Sequence, residues 1–345
     1  MSEHPAPSRP NPPGGAGAAP RLRGRLGRRV SLGSAGGLLA LAALALGAAS
    51  PAGSAAQPTA HTSAAPPAVP ASIKKIVWGI DDQNIALFAD KRWYALPLKN
   101  VRYFVPWDLK QEPHYLRRAD EWLTIAGKSH TVPLIAITQS DIRGRTRYLP
   151  TLKQYRQDVS WMMHRYKWIK LWTPWNEANL LDQATLKNPA RAAQYWRVAQ
   201  QSCPTCIVTS PSLVGYKDAS PKWMRAFVKA AHGEHGPWAI HVYNSINEFN
   251  MTALKLLERQ LPSGAIWVTE ANGWLRFVGY PQSLTRQAHA ELYLFQVAAA
   301  SYPRISRWYL YQWFASSPKN RWDSGLVNAN GSARPALKVV QQQLG

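Results

Sequence analysis

From residue 74 onward, short apolar and β-branched runs alternate with longer stretches whose apolar positions recur every three or four residues. The short runs predict eight strands, at 75–80, 101–107, 131–138, 168–175, 206–213, 238–244, 265–269 and 307–314. The longer stretches predict helices at 84–96, 112–126, 152–167, 189–201, 221–231, 247–261, 284–300 and 335–344. The clearest stripe is Leu152, Tyr155, Val159, Met162, Met163 and Tyr166, one buried helix face. Asn188 and Ser220 stand at capping positions before Pro189 and Pro221, which suit first turns. Eight strand and helix units in one stretch predict a (β/α)8 TIM barrel as a single catalytic domain over 74–345. An open doubly wound sheet is the competitor, but Gly79-Ile-Asp-Asp-Gln83 after the first strand is no glycine-rich phosphate turn.

The amino-terminal part has a different pattern. Five arginines between Arg21 and Arg29 precede an apolar run over 38–49 and a small-residue exit, so 1–56 reads as an export signal. Arg28-Arg29 hints at twin-arginine export. The apolar run is about half of the roughly 20 residues a bilayer span needs, so an uncleaved membrane anchor is the weaker reading. Pro, Ala, Ser and Thr dominate the next stretch, and 57–73 reads as a linker between the signal and the folded part. The expected location is therefore extracellular, with membrane contact only through the signal.

Composition narrows the partners. The formal net charge is +22, and the first 56 residues hold six arginines against one glutamate, so most of that charge lies beyond the signal. A field of this sign concentrates anionic polymers, including acidic polysaccharides, but no nucleic-acid recognition motif accompanies it. The only two cysteines, Cys203 and Cys206, most simply form a small disulfide in an exported chain, with free thiols or redox chemistry as alternatives. No further Cys or ordered His cluster completes a zinc site in the sequence.

Against sixteen tryptophans, acidic residues are few, and two of them end apolar strands: Glu177 in Trp172-Thr-Pro-Trp-Asn-Glu-Ala-Asn179, and Glu270 in Ile266-Trp-Val-Thr-Glu-Ala-Asn-Gly-Trp274. Parallel strands deliver their C-terminal residues to one face, so these two carboxyls are expected to meet at the barrel mouth. The other strand ends bring Asp81, Asp82, Arg102, Trp107, Asp108, Asn176, Ser210, Ser212, His241, Tyr243, Asn272, Tyr311 and Trp313 to the same rim. Such a polar and aromatic rim suits a sugar, with rings stacking on aromatic faces and hydroxyls bonding to carboxylates and amides. Each residue also has a structural reading. Either glutamate could cap the next helix, Asp82 and Asp108 could contact hydroxyls or cap, and His241 could touch sugar or support the site. Trp107, Trp175, Trp274 and Trp313 are expected at the rim.

The pairing of Asn176-Glu177 on the fourth strand with Glu270 on the seventh resembles the retaining glycoside hydrolases of the 4/7 superfamily, often called clan A. The resemblance implies Glu177 as acid/base, Glu270 as nucleophile, and Asn176 bonded to the hydroxyl beside the anomeric carbon. It further implies Tyr243 and Arg102 as supports of the nucleophile and Trp313 as a platform under the sugar. Ala178 departs from the proline common after that Asn-Glu pair. The activity so implied is hydrolysis of O-glycosidic bonds in a neutral or acidic polysaccharide or oligosaccharide, with no metal or organic cofactor. A transglycosylase with the same carboxylates and a non-catalytic carbohydrate- or wall-binding barrel are the alternatives.

Overall fold

A computed structural model describes residues 73–215 and 221–345. The export-signal segment, all of the linker but Ile73, and the Ser220 cap lie outside the described residues. Nine strands appear in chain order: β1 (Val77–Asp81), β2 (Asn100–Pro106), β3 (Val132–Thr138), β4 (Leu171–Thr173), β5 (Ile207–Val208), β6 (Leu213–Val214), β7 (Trp238–His241), β8 (Ile266–Ala271) and β9 (Ile305–Tyr311). Helices α1 (Lys91–Tyr94), α2 (Pro113–Lys128), α3 (Leu152–Arg165), α4 (Pro189–Ser202), α5 (Pro221–Ala230), α6 (Tyr243–Asn247), α7 (Thr252–Gln260), α8 (Leu284–Tyr293) and α9 (Pro335–Leu344) alternate with them. All ladders between these strands are parallel, in the order β5-β4-β3-β2-β1-β9-β8-β7-β6, which curls the sheet into an incompletely closed barrel. No helix of the described residues is long and apolar enough to cross a membrane.

The ninth strand corrects the expected count. The segment predicted as one fifth strand is split into β5, paired to β4, and β6, paired to β7. Pro211 sits at the break and has no N–H for a ladder. Beside it the chain divides its bonds, Ser210 donating its N–H to Pro237 O and Ser212 to Trp175 O. Other boundaries moved for local reasons. Residues 84–96 form a 3-10 turn and the short α1 instead of one helix, because Asp90 caps a second start by accepting from Arg92 N. Tyr243, expected on the sixth strand, opens the one-turn α6 instead.

Strand β8 is buried along its whole length, as expected where helices cover a parallel sheet. Inside the sheet, Leu134, Leu171, Trp267 and Tyr309 form a small interior layer. Gly79 makes room for it, since a Cβ there would meet the Tyr309 ring at 2.7 Å and Asn100 O at 2.8 Å. Between sheet and helices the larger core contains the predicted α3 face, with Tyr155, Val159, Met162 and Met163 all buried. Tyr155, Trp175 and Tyr195 stack there: Tyr195 lies against both other rings, at 4.1 Å from Tyr155 and 5.1 Å from Trp175 between ring centroids. Asn188 caps α4 by accepting from Arg191 N, and Cys203 and Cys206 form a disulfide just past that helix.

Helix α8 places a fully buried carboxyl, Glu291, behind the loop that follows β8, where it accepts a hydrogen bond from Gly273 N at 3.0 Å. Burial pushes Glu291 up to about 8, only partly opposed by that N–H. A folded-state value above the ordinary one favours folding below the ordinary carboxyl range and loses that contribution as pH rises toward 8. Glu291→Gln keeps an acceptor for Gly273, so the variant should lose less stability than the parent between pH 5 and pH 8. Urea midpoints at both values test this, and identical declines in the two proteins would contradict it.

Candidate active site

The C-terminal ends of the strands converge on one buried guanidinium. Arg102 on β2 donates from Nη1 to Asp81 Oδ2 on β1 and to Glu270 Oε1 on β8, the latter at 2.6 Å. Its Nη2 donates to Asn176 Oδ1, just past β4, at 2.8 Å. Register explains the convergence, because Asp81 lies beside Arg102 on one side and Tyr311 on the other. Burial alone would lower the affinity of Arg102 for its proton, but the Asp81 and Glu270 carboxylates hold it above the ordinary value. Burial pushes the Asp81 carboxyl well up, against the pull of Arg102.

Glu270 reaches this point through an irregularity. Along β8, Trp267 faces the interior layer while Ile266 and Val268 belong to the outer core, so strict alternation would turn Glu270 outward. The ladder with β7 instead steps from Ile240 opposite Val268 to His241 opposite Glu270, inserting Thr269 as an extra residue. That bulge brings the carboxyl inward. Tyr243 OH, from α6, donates to its Oε2 at 3.0 Å.

The second carboxyl is held by unusual backbone. Glu177 has φ 51°, in the left-handed region that a non-glycine residue occupies at a cost of about 1–3 kcal/mol. Ser212 braces the turn: Glu177 N donates to Ser212 Oγ at 2.8 Å, Ala178 N donates to Ser212 O at 2.9 Å, and the same hydroxyl donates to Asn176 Oδ1. A proline in place of Ala178 would have no N–H for Ser212. Burial, reinforced by the Asp182 charge and opposed by Arg102, pushes Glu177 up to about 8.

His241 lies between the two acids. Its Nδ1 is 2.9 Å from Glu177 Oε1 and its Nε2 is 3.3 Å from Glu270 Oε1. Burial pushes the ring down to about 3, so it is neutral near pH 7 and has one N–H. With Glu177 protonated, its O–H donates to Nδ1, while Nε2 is buried without an aligned hydrogen-bond partner among the described residues. One oxygen of Glu177, one of Glu270 and a ring nitrogen of His241 lie within 4.8 Å of one another. The trio has the donor set for a divalent ion, but the Arg102 guanidinium already supplies a positive charge at the Glu270 oxygen.

Several expected sugar contacts are placed elsewhere. Trp107, Trp175, Trp274 and Trp313 are buried and present no open ring face. Trp313 donates from Nε1 to Asp90 Oδ2 at 2.9 Å, Trp175 donates to Gln183 Oε1, and Trp107 lies under Arg145. Asp82 accepts from Asn84 N and Phe314 N, while Asn84 itself caps the 3-10 turn that follows. His241 is wholly buried against the two carboxyl groups. Asn176 keeps its expected place: it is half-buried, and its Nδ2 has no protein acceptor among the described residues.

The half-buried aromatics around the acids are Phe104, Tyr311 and Trp322. Trp322 meets Tyr243 edge-on at 4.5 Å and Trp274 at 5.1 Å. It belongs to the loop after β9, where no periodicity marked it. Asp81 and Ser212 were legible as strand-end residues, but their bonding roles depend on neighbours distant in sequence.

No protein-family model and no curated protein sequence matches the chain. Solved structures do. A family 39 glycoside hydrolase from Bacteroides cellulosilyticus WH2 is 13% identical at a TM-score of 0.54 over 79% of this chain, which spans only 64% of that one. Xylanase 10B from Thermotoga petrophila RKU-1, in complex with xylobiose, is 13% identical at 0.57, covering 82% of this chain and 98% of its own. A family 39 β-xylosidase from Caulobacter crescentus is 14% identical at 0.57, with 79% and 72% covered. The chain shares their fold.

The Ser212 brace is open to test. Ser212→Ala leaves the buried Glu177 N–H without its acceptor and should cost about 1–3 kcal/mol of unfolding free energy. Urea unfolding measures this, and a change within error would show that the hydroxyl does not hold the turn.

Proposed function

We propose that this chain is a secreted retaining glycoside hydrolase that cleaves O-glycosidic bonds by double displacement, with Glu270 as nucleophile and Glu177 as acid/base. The observation that supports it best is the approach of the Glu177 and Glu270 oxygens to within 4.8 Å. Retaining enzymes hold their carboxyls about 5–5.5 Å apart, whereas inverting ones leave about 6.5–9.5 Å for a water. On this reading the curled sheet acts as a (β/α)8 barrel, with residues 207–214 lying between β4 and β7. The export signal at 1–56 and the linker at 57–73 deliver it outside the cell.

In the first step a Glu270 oxygen attacks the anomeric carbon as the glycosidic C–O bond breaks. Arg102 and Tyr243 hold Glu270 in place by hydrogen bonds, and Glu177 gives its proton to the departing oxygen. In the second step Glu177, now a carboxylate, takes a proton from water as the water oxygen attacks the anomeric carbon and the ester to Glu270 breaks. With Glu177 protonated, a neutral His241 accepts its O–H at Nδ1 and holds the proton that Glu177 gives up. Asn176 Nδ2 is available for a sugar hydroxyl, and Trp322 offers a partly open face for a ring. A xylanase and a β-xylosidase are among the structural neighbours, which makes xylan and aryl xylosides the first substrates to test.

Glu270→Gln should abolish turnover. Glu177→Gln should lower it by about 10²–10⁴-fold on a poor leaving group and much less on dinitrophenyl glycosides, whose oxygen needs no proton. Steady-state rates on both substrate types test the roles, and near-normal turnover in either variant would sink the assignment.

The acid must be protonated to act, so kcat/KM should fall as pH rises through about 8. Asp182→Asn removes a negative charge that raises Glu177, and the alkaline limb should move to lower pH. A limb that stays fixed in the variant would assign it to another group.

A further inference from the structure

The loop over 139–151 leaves the C-terminal end of β3 at the same mouth as the two carboxyls. It is fastened next to the acid/base turn, because Asn176 N donates to Ile137 O and Trp107 N to Thr138 O. Within it, Arg145 donates to Gln111 Oε1, lies 3.3 Å from Asp108 Oδ2 and covers the Trp107 ring. Its far end is tied to α4, where Arg191 and Tyr195 donate to Pro150 O. The loop is thus anchored at its start, middle and end. Two of its guanidiniums, Arg143 and Arg147, are nevertheless exposed and make no ion pair or side-chain hydrogen bond among the described residues. Tyr148, beside Arg147, is partly exposed, with its ring against Arg145 and Trp107 and its OH donating to Gln154.

Position gives these arginines a direction. The loop starts beside the Asn176 turn and ends against α4, the helix after β4, so Arg143 and Arg147 are carried on the acid/base side of the mouth. The acid protonates the leaving oxygen, so the leaving group occupies that side. Arg147 is partly offset by Asp182.

We propose that the leaving-group side of the cleft binds a carboxylated sugar residue, with Arg143 and Arg147 as ligands for its carboxylate and Tyr148 as a stacking surface for its ring. A guanidinium fork matches a planar carboxylate with two parallel hydrogen bonds, and an exposed aromatic face accommodates a pyranose ring. The inference rests on the glycosidase reading and names its substrate class: a glycan containing uronic acid.

The test compares binding by the Glu270→Gln protein, in which turnover is blocked, of oligosaccharides containing glucuronic, galacturonic or mannuronic acid. The same oligosaccharides after carboxyl reduction, and sulfated neutral ones, complete the panel. Titration calorimetry should show at least one uronate bound about tenfold or more tightly than its reduced form, as expected of a charge-assisted pair. Adding Arg143→Ala with Arg147→Ala should erase that difference. Adding Lys319→Ala with Arg321→Ala, which removes the same charge from the loop after β9, should preserve it. Equal affinity for acidic and reduced forms, equal loss in both double variants, or tighter binding of sulfated chains would each overturn the proposal. Turnover of an uncharged aryl glycoside by the wild type, and its loss in Glu270→Gln, reports on the glycosidase reading separately.

Discussion

Acceptors from three separate parts of the sheet meet on a single guanidinium that has no access to water. A buried arginine is tolerable only when its charge is paired and its N–H groups are used, and Arg102 meets most of that demand through Asp81, Glu270 and Asn176. The demand runs both ways, since two carboxylates confined to the same interior would repel each other without the cation between them. The site therefore depends on β1, β2, β4 and β8 arriving in the right register. A displacement of any one strand would leave a buried polar group unpaired.

Around that centre, each acid acquires a different character from its surroundings. Glu270 accepts from a cation and a tyrosine hydroxyl. Glu177 is buried, and the nearby Asp182 carboxylate adds to a setting that favours the proton. His241 lies between the two, 2.9 Å from Glu177 Oε1 and 3.3 Å from Glu270 Oε1.

The tryptophan-rich composition serves the scaffold more than the cleft. Trp107, Trp175, Trp274 and Trp313 fill the region behind the site, and the rings near its surface are Phe104, Tyr311 and Trp322. Large aromatic side chains bring much apolar area to a core, so a barrel with short strands such as β4, β5 and β6 gains packing that its ladders do not provide. Residue type at a strand end was thus a poor guide to exposure, because neighbouring loops fold back over the rings. Arg145 over Trp107 and Asp90 bonded to Trp313 are two instances.

The sequence by itself determined the alternation of strand and helix, the buried stripe of α3, the cap at Asn188, and the placement of Glu177 and Glu270 at the ends of the fourth and seventh strand units. These come from local periodicity and from the rule that parallel strands end on one face. Only the tertiary structure decided which way those ends point. Alternation along β8 would have turned Glu270 toward the helices, and the extra residue at Thr269 reverses it. The left-handed turn at Glu177 is held by Ser212, from a different strand unit. The division of the fifth strand around Pro211 likewise depends on what β4 and β7 offer on either side. Bulges, braced turns and buried ion pairs arise from contacts between distant segments, and a one-dimensional pattern contains no distance between them.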